Sequence, residues 1–186
     1  INEAGSPEEM CNAVEGRVRS HLFKDKFITI LGGEHSVSIG AIKAFKEKYS
    51  DLTVLQLDAH ADLRKTYEGS ECNHACALYW ANQNTNLIQI GIRSMDVSEK
   101  EVMNYDQVFF ADYLKSNIYW HSEVLELING PVYLTIDLDV FDPSIIPSTG
   151  TPEPGGLMYY QVLRFFKKIF DRKNVVGCDV VELCPN

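Results

Sequence analysis

The chain has 186 residues, 45% hydrophobic and 23% charged, with a formal net charge of −9, which is enough for one sizeable core and too little for two domains of ordinary size. That charge, with no Lys/Arg stripe interleaved with aromatics, argues against a nucleic-acid binder and suits attraction of a small cation. No apolar run approaches the length of a membrane span, no secretory leader is recognisable, and the five scattered cysteines (Cys11, Cys72, Cys76, Cys178, Cys184) form no disulfide framework, so a reduced, cytoplasmic setting is expected.

The chain opens at Ile1 rather than Met, so its natural start is expected upstream. Ser6-Pro7-Glu8-Glu9 combines a capping hydroxyl, a proline at the first helical position and a glutamate at the third. Met10, Val14 and Val18 recur at helical spacing, so an amphipathic helix is predicted from Pro7 to about His21. Phe27-Ile28-Thr29-Ile30-Leu31 reads as a buried strand. It runs into Gly32-Gly33-Glu34-His35-Ser36, where the glycines permit a tight turn and Ser36 can cap a helix bearing Val37, Ala41 and Phe45. This is neither GxGxxG nor a Walker loop, so a nucleotide site has little support.

Leu52 to Leu57 is the next strand and ends in Asp58-Ala59-His60-Ala61-Asp62. With a spacing of two in extended chain, these three polar side chains are expected on one side. Arg64 to Asn73 is a polar, glycine-punctuated loop leading to His74. Cys72-x-His74-x-Cys76 offers half of a zinc site, but no second Cys/His pair completes a tetrahedron. Leu87 to Ile90 is a strand, Ser98 with Glu99 and Glu101 a short helix, Val108-Phe109-Phe110 a short strand, and Glu123 to Asn129 a helix with Val124, Leu127 and Ile128 inward. Val132 to Ile136 is a strand feeding Asp137 and Asp139. An irregular Pro/Gly-rich loop extends from Phe141 to Gly156. Tyr160 to Phe170 is a helix, and Val175 to Leu183 a last strand carrying Asp179 and Glu182.

Strands alternating with helices predict one α/β domain over 1–186, a central and mainly parallel sheet with helices on both faces. Such sheets bind ligands at the carboxyl ends of their strands, where His35, Asp58, His60, Asp62, Asp137, Asp139 and Glu182 all fall. For any one of these residues a polar strand end or helix cap is the bland alternative; two carboxylate clusters together point to metal. Four Asp and two His form a hard donor set that suits manganese or magnesium, with imidazole favouring a transition metal. Six donors exceed what one catalytic ion needs. Two ions roughly 3.5–4 Å apart, sharing carboxylates, can activate a water for hydrolysis. Phosphoester, amide and amidine substrates all remain open on this chemistry.

Gly32-Gly33-Glu34-His35-Ser36, Asp58-Ala59-His60-Ala61-Asp62 and Asp137-Leu138-Asp139-Val140-Phe141-Asp142-Pro143, followed by Pro152-Glu153-Pro154-Gly155-Gly156, resemble the signature motifs of the ureohydrolases, the arginase/agmatinase family, in the same order and over nearly the whole chain. The resemblance implies a three-layer α/β/α fold, here truncated at both ends, and a centre of two Mn2+ ions that hydrolyses a guanidinium group with release of urea. It implies His35, Asp58, Asp62 and Asp137 as ligands of one ion and His60, Asp58, Asp137 and Asp139 as ligands of the other, with Asp62 also orienting the attacking hydroxide. It further implies His74 as the residue that shuttles protons to the leaving amine, and Glu182 as the carboxylate that pairs with the substrate guanidinium.

Within the family, His74-Ala75 and the Asp62-Leu63-Arg64 loop look more like agmatinases. The Asn and Ser with which arginases hold an α-carboxylate have no counterpart at matching offsets, since Asn73 and Ser70 stand elsewhere. Glu34 stands where many members have Asp, and Asn73 where Ser is common. The resemblance thus implies hydrolysis of agmatine to putrescine and urea, a step of polyamine biosynthesis. Arginase or another guanidino- or formimino-substrate ureohydrolase is the alternative, and a metal-binding non-catalytic module the alternative class. A small cationic guanidino substrate, neither nucleic acid nor membrane, and a homo-oligomer (trimer or hexamer) are the partners it implies.

Overall fold

The computed structural model describes residues 5–24 and 26–185. Helix α1 (Pro7–Leu22) begins at a capping box: the Ser6 hydroxyl accepts from Glu9 N, and the Glu9 carboxylate accepts from Ser6 N. Its inward face is Cys11, Val14, Val18 and Leu22. Strand β1 (Ile28–Leu31) is followed by α2 (Val37–Lys48), β2 (Thr53–Leu57), α3 (Tyr79–Asn84) and β3 (Asn86–Ile92). Next come β4 (Val108–Phe110), α4 (Ala111–Ser116), α5 (Trp120–Leu127) and β5 (Val132–Asp137). The chain ends with α6 (Tyr159–Arg172) and β6 (Val175–Val181).

The six strands form one sheet in the order β1-β6-β5-β2-β3-β4, every neighbouring pair parallel. Parallel neighbours require crossovers, and the helices that make them cover both faces. On one face α1, α2 and α3 bury Val14, Val18, Phe45 and Ala81 against Val54, Leu87 and Tyr133. On the other, α4, α5 and α6 bury Leu114, Val124, Phe165 and Ile169 against Leu55, Leu57, Ile88 and Leu134. The central strands β2 and β5 are buried along their whole length, which is why TVLQL and VYLTID read as continuous rather than alternating apolar runs. Gly177 on β6 is required by packing, because a Cβ there would collide with the fully buried Phe45 ring.

Four polar residues interrupt this interior in register. Asp179 pairs with Thr135, Thr135 with Gln56, and Gln56 with Gln89, each on the adjacent strand. All four are 0–2% exposed. They make a polar row across four strands, directly below the carboxyl ends.

Several expected elements differ. The strand after Phe27 is not buried: β1 pairs only with β6 among the described residues and leaves Leu31 83% exposed. Ser36 does not cap α2 with its side chain, because its hydroxyl turns to the Glu34 carboxylate. The short helix expected at Ser98 with Glu99 and Glu101 is the 3₁₀ turn Val97–Glu101, which Asp96 caps in a capping box with Glu99. Helix α5 starts at Trp120 rather than Glu123, since Trp120 and His121 extend its buried face and Asn117 Oδ1 receives Tyr119 N at its approach. The short α3 and α4 carry too few turns to show a period in sequence.

Candidate metal centre

The loops leaving β1, β6, β5 and β2 meet over four adjacent strand ends. Beyond β1, Gly32 N is held by Val180 O (3.0 Å), and Glu182 N by Gly33 O (2.8 Å), so the β1 and β6 loops zip together. His35 N then donates to Glu182 Oε1 at 2.6 Å. Asp58 follows β2 immediately, Asp137 is the last residue of β5, and Asp139 sits in the 3₁₀ turn Leu138–Val140.

The reason these side chains converge is not strand alternation. β2 ends at Leu57, and Asp62 has a left-handed backbone, φ 53; the 58–62 segment is a folded turn. His60 N donates to Asp58 Oδ1 (2.6 Å), Ala59 N to Asp139 Oδ1 (3.0 Å) and Asp139 N to Asp137 Oδ1 (2.9 Å). Gly91 lies under this turn with φ 98, where a Cβ would come within 2.9 Å of Asp58 O and 2.8 Å of Val140 Cγ2. Glu182 is left-handed too, φ 64. Such backbone costs on the order of 1–3 kcal/mol for a residue with a side chain and is retained where the surroundings impose it, often at functional sites.

Two groups of metal-ligating type result: His35 with Asp58 and Asp62, and His60 with Asp58 and Asp139, the donor atoms of each lying within 4.8 Å of one another. His35 Nδ1 is 3.1 Å from Asp58 Oδ2, 3.0 Å from Asp62 Oδ2 and 3.4 Å from Asp137 Oδ2. His60 Nδ1 is 2.8 Å from Asp139 Oδ2 and 3.7 Å from Asp58 Oδ1. Asp58 thus faces both imidazoles with different oxygens, and Asp137 faces the centre across His35. Cys72, His74 and Cys76 join neither group among the described residues.

The electrostatics call for positive charge. Burial, then the neighbouring carboxylates of Asp137, Asp62 and Asp139, push Asp58 well above the usual range. Burial carries Asp137 to about 7 against the pull of His35. Burial would lower His35 and His60, yet their carboxylate neighbours raise both, His35 strongly. At Asp139 burial is outweighed by hydrogen bonding and attraction from His60, and its pKa falls. Carboxylates this close cannot all ionise without a cation among them. His35 Nδ1 is also buried with no aligned hydrogen-bond partner among the described residues. That orphaned nitrogen among carboxylates, with a hard oxygen-rich donor set, fits divalent metal.

Above the centre lies a cavity of about 410 Å³, its wall including His60, Asp62, His74, Asp137, Thr151 and Glu182. His74 opens the 3₁₀ turn His74–Cys76 at the rim, half-exposed, with Nδ1 3.6 Å from Glu34 Oε2. Burial raises the half-buried Glu182 carboxyl, with the His35 amide drawing it back.

Sequence reasoning missed the residues that hold the centre in place. Gln56 Nε2 donates to Asp58 Oδ2 (2.7 Å), and Gln89 Nε2 to Gln56 Oε1 (2.6 Å). Arg93 donates to the carbonyls of Asp139 (2.6 Å) and Glu153 (2.8 Å), tying the β5 turn to the following loop. A glutamine inside an otherwise apolar strand was the available signal.

The family model described as "Arginase family" matches residues 2–186. The N(1)-aminopropylagmatine ureohydrolase of Synechocystis sp. is 38% identical over 182 residues, 95% of this chain and 58% of that protein. The agmatinase of Bacillus cereus is 39% identical over 194 residues, covering 97% and 63%. The crystal structure of agmatine ureohydrolase of Thermoplasma volcanium matches with a TM-score of 0.88 at 33% identity, over 100% of this chain and 64% of that one. The chain therefore spans about three fifths of the length of these curated relatives.

Proposed function

Since this chain belongs to the arginase family, we propose that it carries the centre of a ureohydrolase that binds two Mn2+ ions and hydrolyses the guanidinium group of agmatine, yielding putrescine and urea. The observation that carries this reading is Asp58, one carboxylate facing two separate imidazole–carboxylate groups. In this assignment His35, Asp58, Asp62 and Asp137 hold one ion, and His60, Asp58, Asp137 and Asp139 the other. Bound there, a metal pair supplies Lewis-acid activation of a water near neutral pH.

The chain's own groups do the rest. Asp62, turned into the cavity by its left-handed backbone, orients the attacking water. Glu182 grips the planar, permanently charged guanidinium, for which a carboxylate is the natural bidentate partner. His74, at the rim and braced by Glu34, carries a proton to the leaving amine, which departs as the tetrahedral carbon collapses to urea.

Agmatine rather than arginine is favoured by the cavity wall. Neither Asn73 nor Ser70 is among the residues that line the cavity, and the Ser70 hydroxyl donates to Glu8 instead, so neither is placed to receive an α-carboxylate. Glu34, Asp96 and Glu99 line the same cavity together with Arg64, which lies 3.3 Å from Asp96, and this excess of carboxylates favours a second cationic end over an anionic one. The test is a panel of agmatine, arginine, guanidinobutyrate, formimidoylglutamate and N1-aminopropylagmatine, assayed for urea or formamide with Mn2+ supplied. Urea from agmatine above the others is the expected result. Metal-dependent stabilisation with no product from any of them would replace the enzyme with a metal-binding module.

A further inference from the structure

Glu99 is only 3% exposed, in the 3₁₀ turn of the loop that follows β3. A carboxylate taken so far out of water needs hydrogen bonds to replace its hydration. Its two oxygens go to backbone amides of two different loops. Oε2 accepts from Asp96 N at 2.5 Å, and Oε1 from Leu63 N at 2.7 Å. The first bond completes the local capping box, for which one oxygen is enough. The second reaches 36 residues back, to the residue that follows Asp62.

The position of that amide gives the bond its consequence. The turn at 58–62 is held in two halves. Its first half is tied to β3 and the residues after it: Ala59 O accepts from Arg93 N at 2.8 Å, and Ala61 O from Gln89 Nε2 at 2.8 Å. Past Ala61 the anchoring changes. Asp62 turns left-handed, φ 53, its carbonyl accepts from Leu78 N at 3.0 Å, and Arg64 N donates to Ala75 O at 3.1 Å. These two bonds tie the segment 75–78, with His74 beside it, directly to residues 62–64. Leu63 N, between them, goes to Glu99 instead. Leu63 is 1% exposed, so removing its acceptor leaves a buried donor unpaired, which is the costly way to lose a hydrogen bond.

We propose that Glu99 is a positioning residue that locks residues 62–64, and through them the His74 turn, onto the loop after β3, and so fixes the separation between the Asp62 carboxylate and the His74 imidazole across the cavity. Both side chains line that cavity. This rests on the ureohydrolase reading for the roles of Asp62 and His74, while the clamp itself stands on the hydrogen bonds alone. Without it, Asp62 is free to relax from its left-handed backbone and to carry residues 75–78 along. A misplacement of about 1 Å between reacting groups costs on the order of 100-fold in rate.

The experiment compares the parent chain with Glu99→Gln, Glu99→Leu and Phe165→Leu, the last a core control on the other face of the sheet from Leu63. One readout is amide hydrogen exchange of the metal-free protein; the other is kcat and KM for urea release from agmatine with Mn2+ supplied. Glu99→Leu is expected to speed exchange in 62–64 and 75–78 together, by at least about tenfold, while the amides of β2, β3 and β5 keep their protection. It is expected to lower kcat by roughly 10–100-fold. Glu99→Gln, which keeps one acceptor, does both to a smaller extent, and Phe165→Leu does neither.

Exchange at 75–78 that stays at the parent rate while 62–64 opens refutes the proposal, because His74 then does not depend on the clamp. A rise in KM with kcat unchanged also refutes it, since Glu99 would then act through the charge of the cavity. So does the same local opening in Phe165→Leu, which would make it a general loss of stability. Should Glu99→Leu fail to fold, Glu99→Gln decides by the same readouts. If no guanidino compound yields urea, the proposed reaction falls, and joint or separate opening of the two segments still upholds or refutes the clamp.

Discussion

The metal-free chain should lose stability as pH rises through neutrality, the reverse of ordinary acid unfolding. Asp137 carries the argument, its carboxyl raised from 3.8 to about 7 by burial. Between those values the folded protein holds a proton that the unfolded chain has released. Stability is therefore present at the acid end and lost as pH climbs toward 7. His35 is raised above its ordinary value too; a folded histidine that binds its proton more tightly than the unfolded one also loses stability on deprotonation, so the two effects share a sign. Asp139 and Asp142 are lowered, Asp142 to about 2, and are ionised throughout pH 5–7, where they add no slope.

For Asp137 alone, linkage over pH 5 to 7 gives a loss of about 2 kcal/mol, since each pKa unit corresponds to roughly 1.4 kcal/mol. For a chain of this length that lowers the melting temperature by roughly 4–8 °C. Mn2+ competes with those protons, so its stabilisation should grow with pH. At a hundredfold excess over its Kd it adds about 2.7 kcal/mol. Differential scanning calorimetry at pH 5, 6 and 7, with chelator and with Mn2+, reads both effects. A chelated melting temperature that is flat or rises from pH 5 to 7, or an Mn2+ increment independent of pH, refutes the reading of this cluster as carboxylates awaiting a cation.

Gly91→Ala forces a side chain into φ 98 and against Asp58 O and Val140; urea unfolding should show at least about 1–3 kcal/mol of destabilisation, and no change would mean the turn can yield. His60→Ala should cut bound Mn2+ from two ions to one by elemental analysis, because His60 contacts Asp58 and Asp139 on one side of the centre only. Arg93→Ala leaves the carbonyl of the buried Asp139 without this donor and releases the Glu153 carbonyl, at a cost of about 1–3 kcal/mol for the buried group left unpaired, read by chemical denaturation together with weaker Mn2+ binding. Glu182→Gln keeps an oxygen for His35 N but removes the charge proposed to pair with guanidinium, so kcat/KM should fall at least tenfold with Mn2+ stoichiometry intact; an unchanged KM would take Glu182 out of substrate binding.

Much of this protein was legible from local chemistry. The capping box at Ser6–Glu9 and the helix behind it follow from side-chain reach and a 3.6-residue period, both properties of a short stretch. Strands β2, β3, β4, β5 and β6 announce themselves as β-branched and apolar runs, and their alternation with helices implies a parallel sheet whose carboxyl ends hold the polar residues. The residue types of the centre, Asp and His clustered where each strand stops, were likewise legible, because hard donors gathered at buried strand ends have few other uses.

What the chain alone could not decide is the arrangement between distant segments. Only the strand order β1-β6-β5-β2 sets the loops of His35, Glu182, Asp137 and Asp58 side by side. The turn at 58–62 closes through Asp139, far away in sequence, and through a left-handed Asp62 that no extended-strand spacing implies. The edge position of β1, the in-register row Asp179–Thr135–Gln56–Gln89 and the brace at Arg93 are decided in the same way. Residues within a few positions of one another interact through a backbone geometry their own types dictate. Partners fifty or a hundred positions apart meet only when the whole sheet has formed, and the energy that selects their meeting is spread over the entire core.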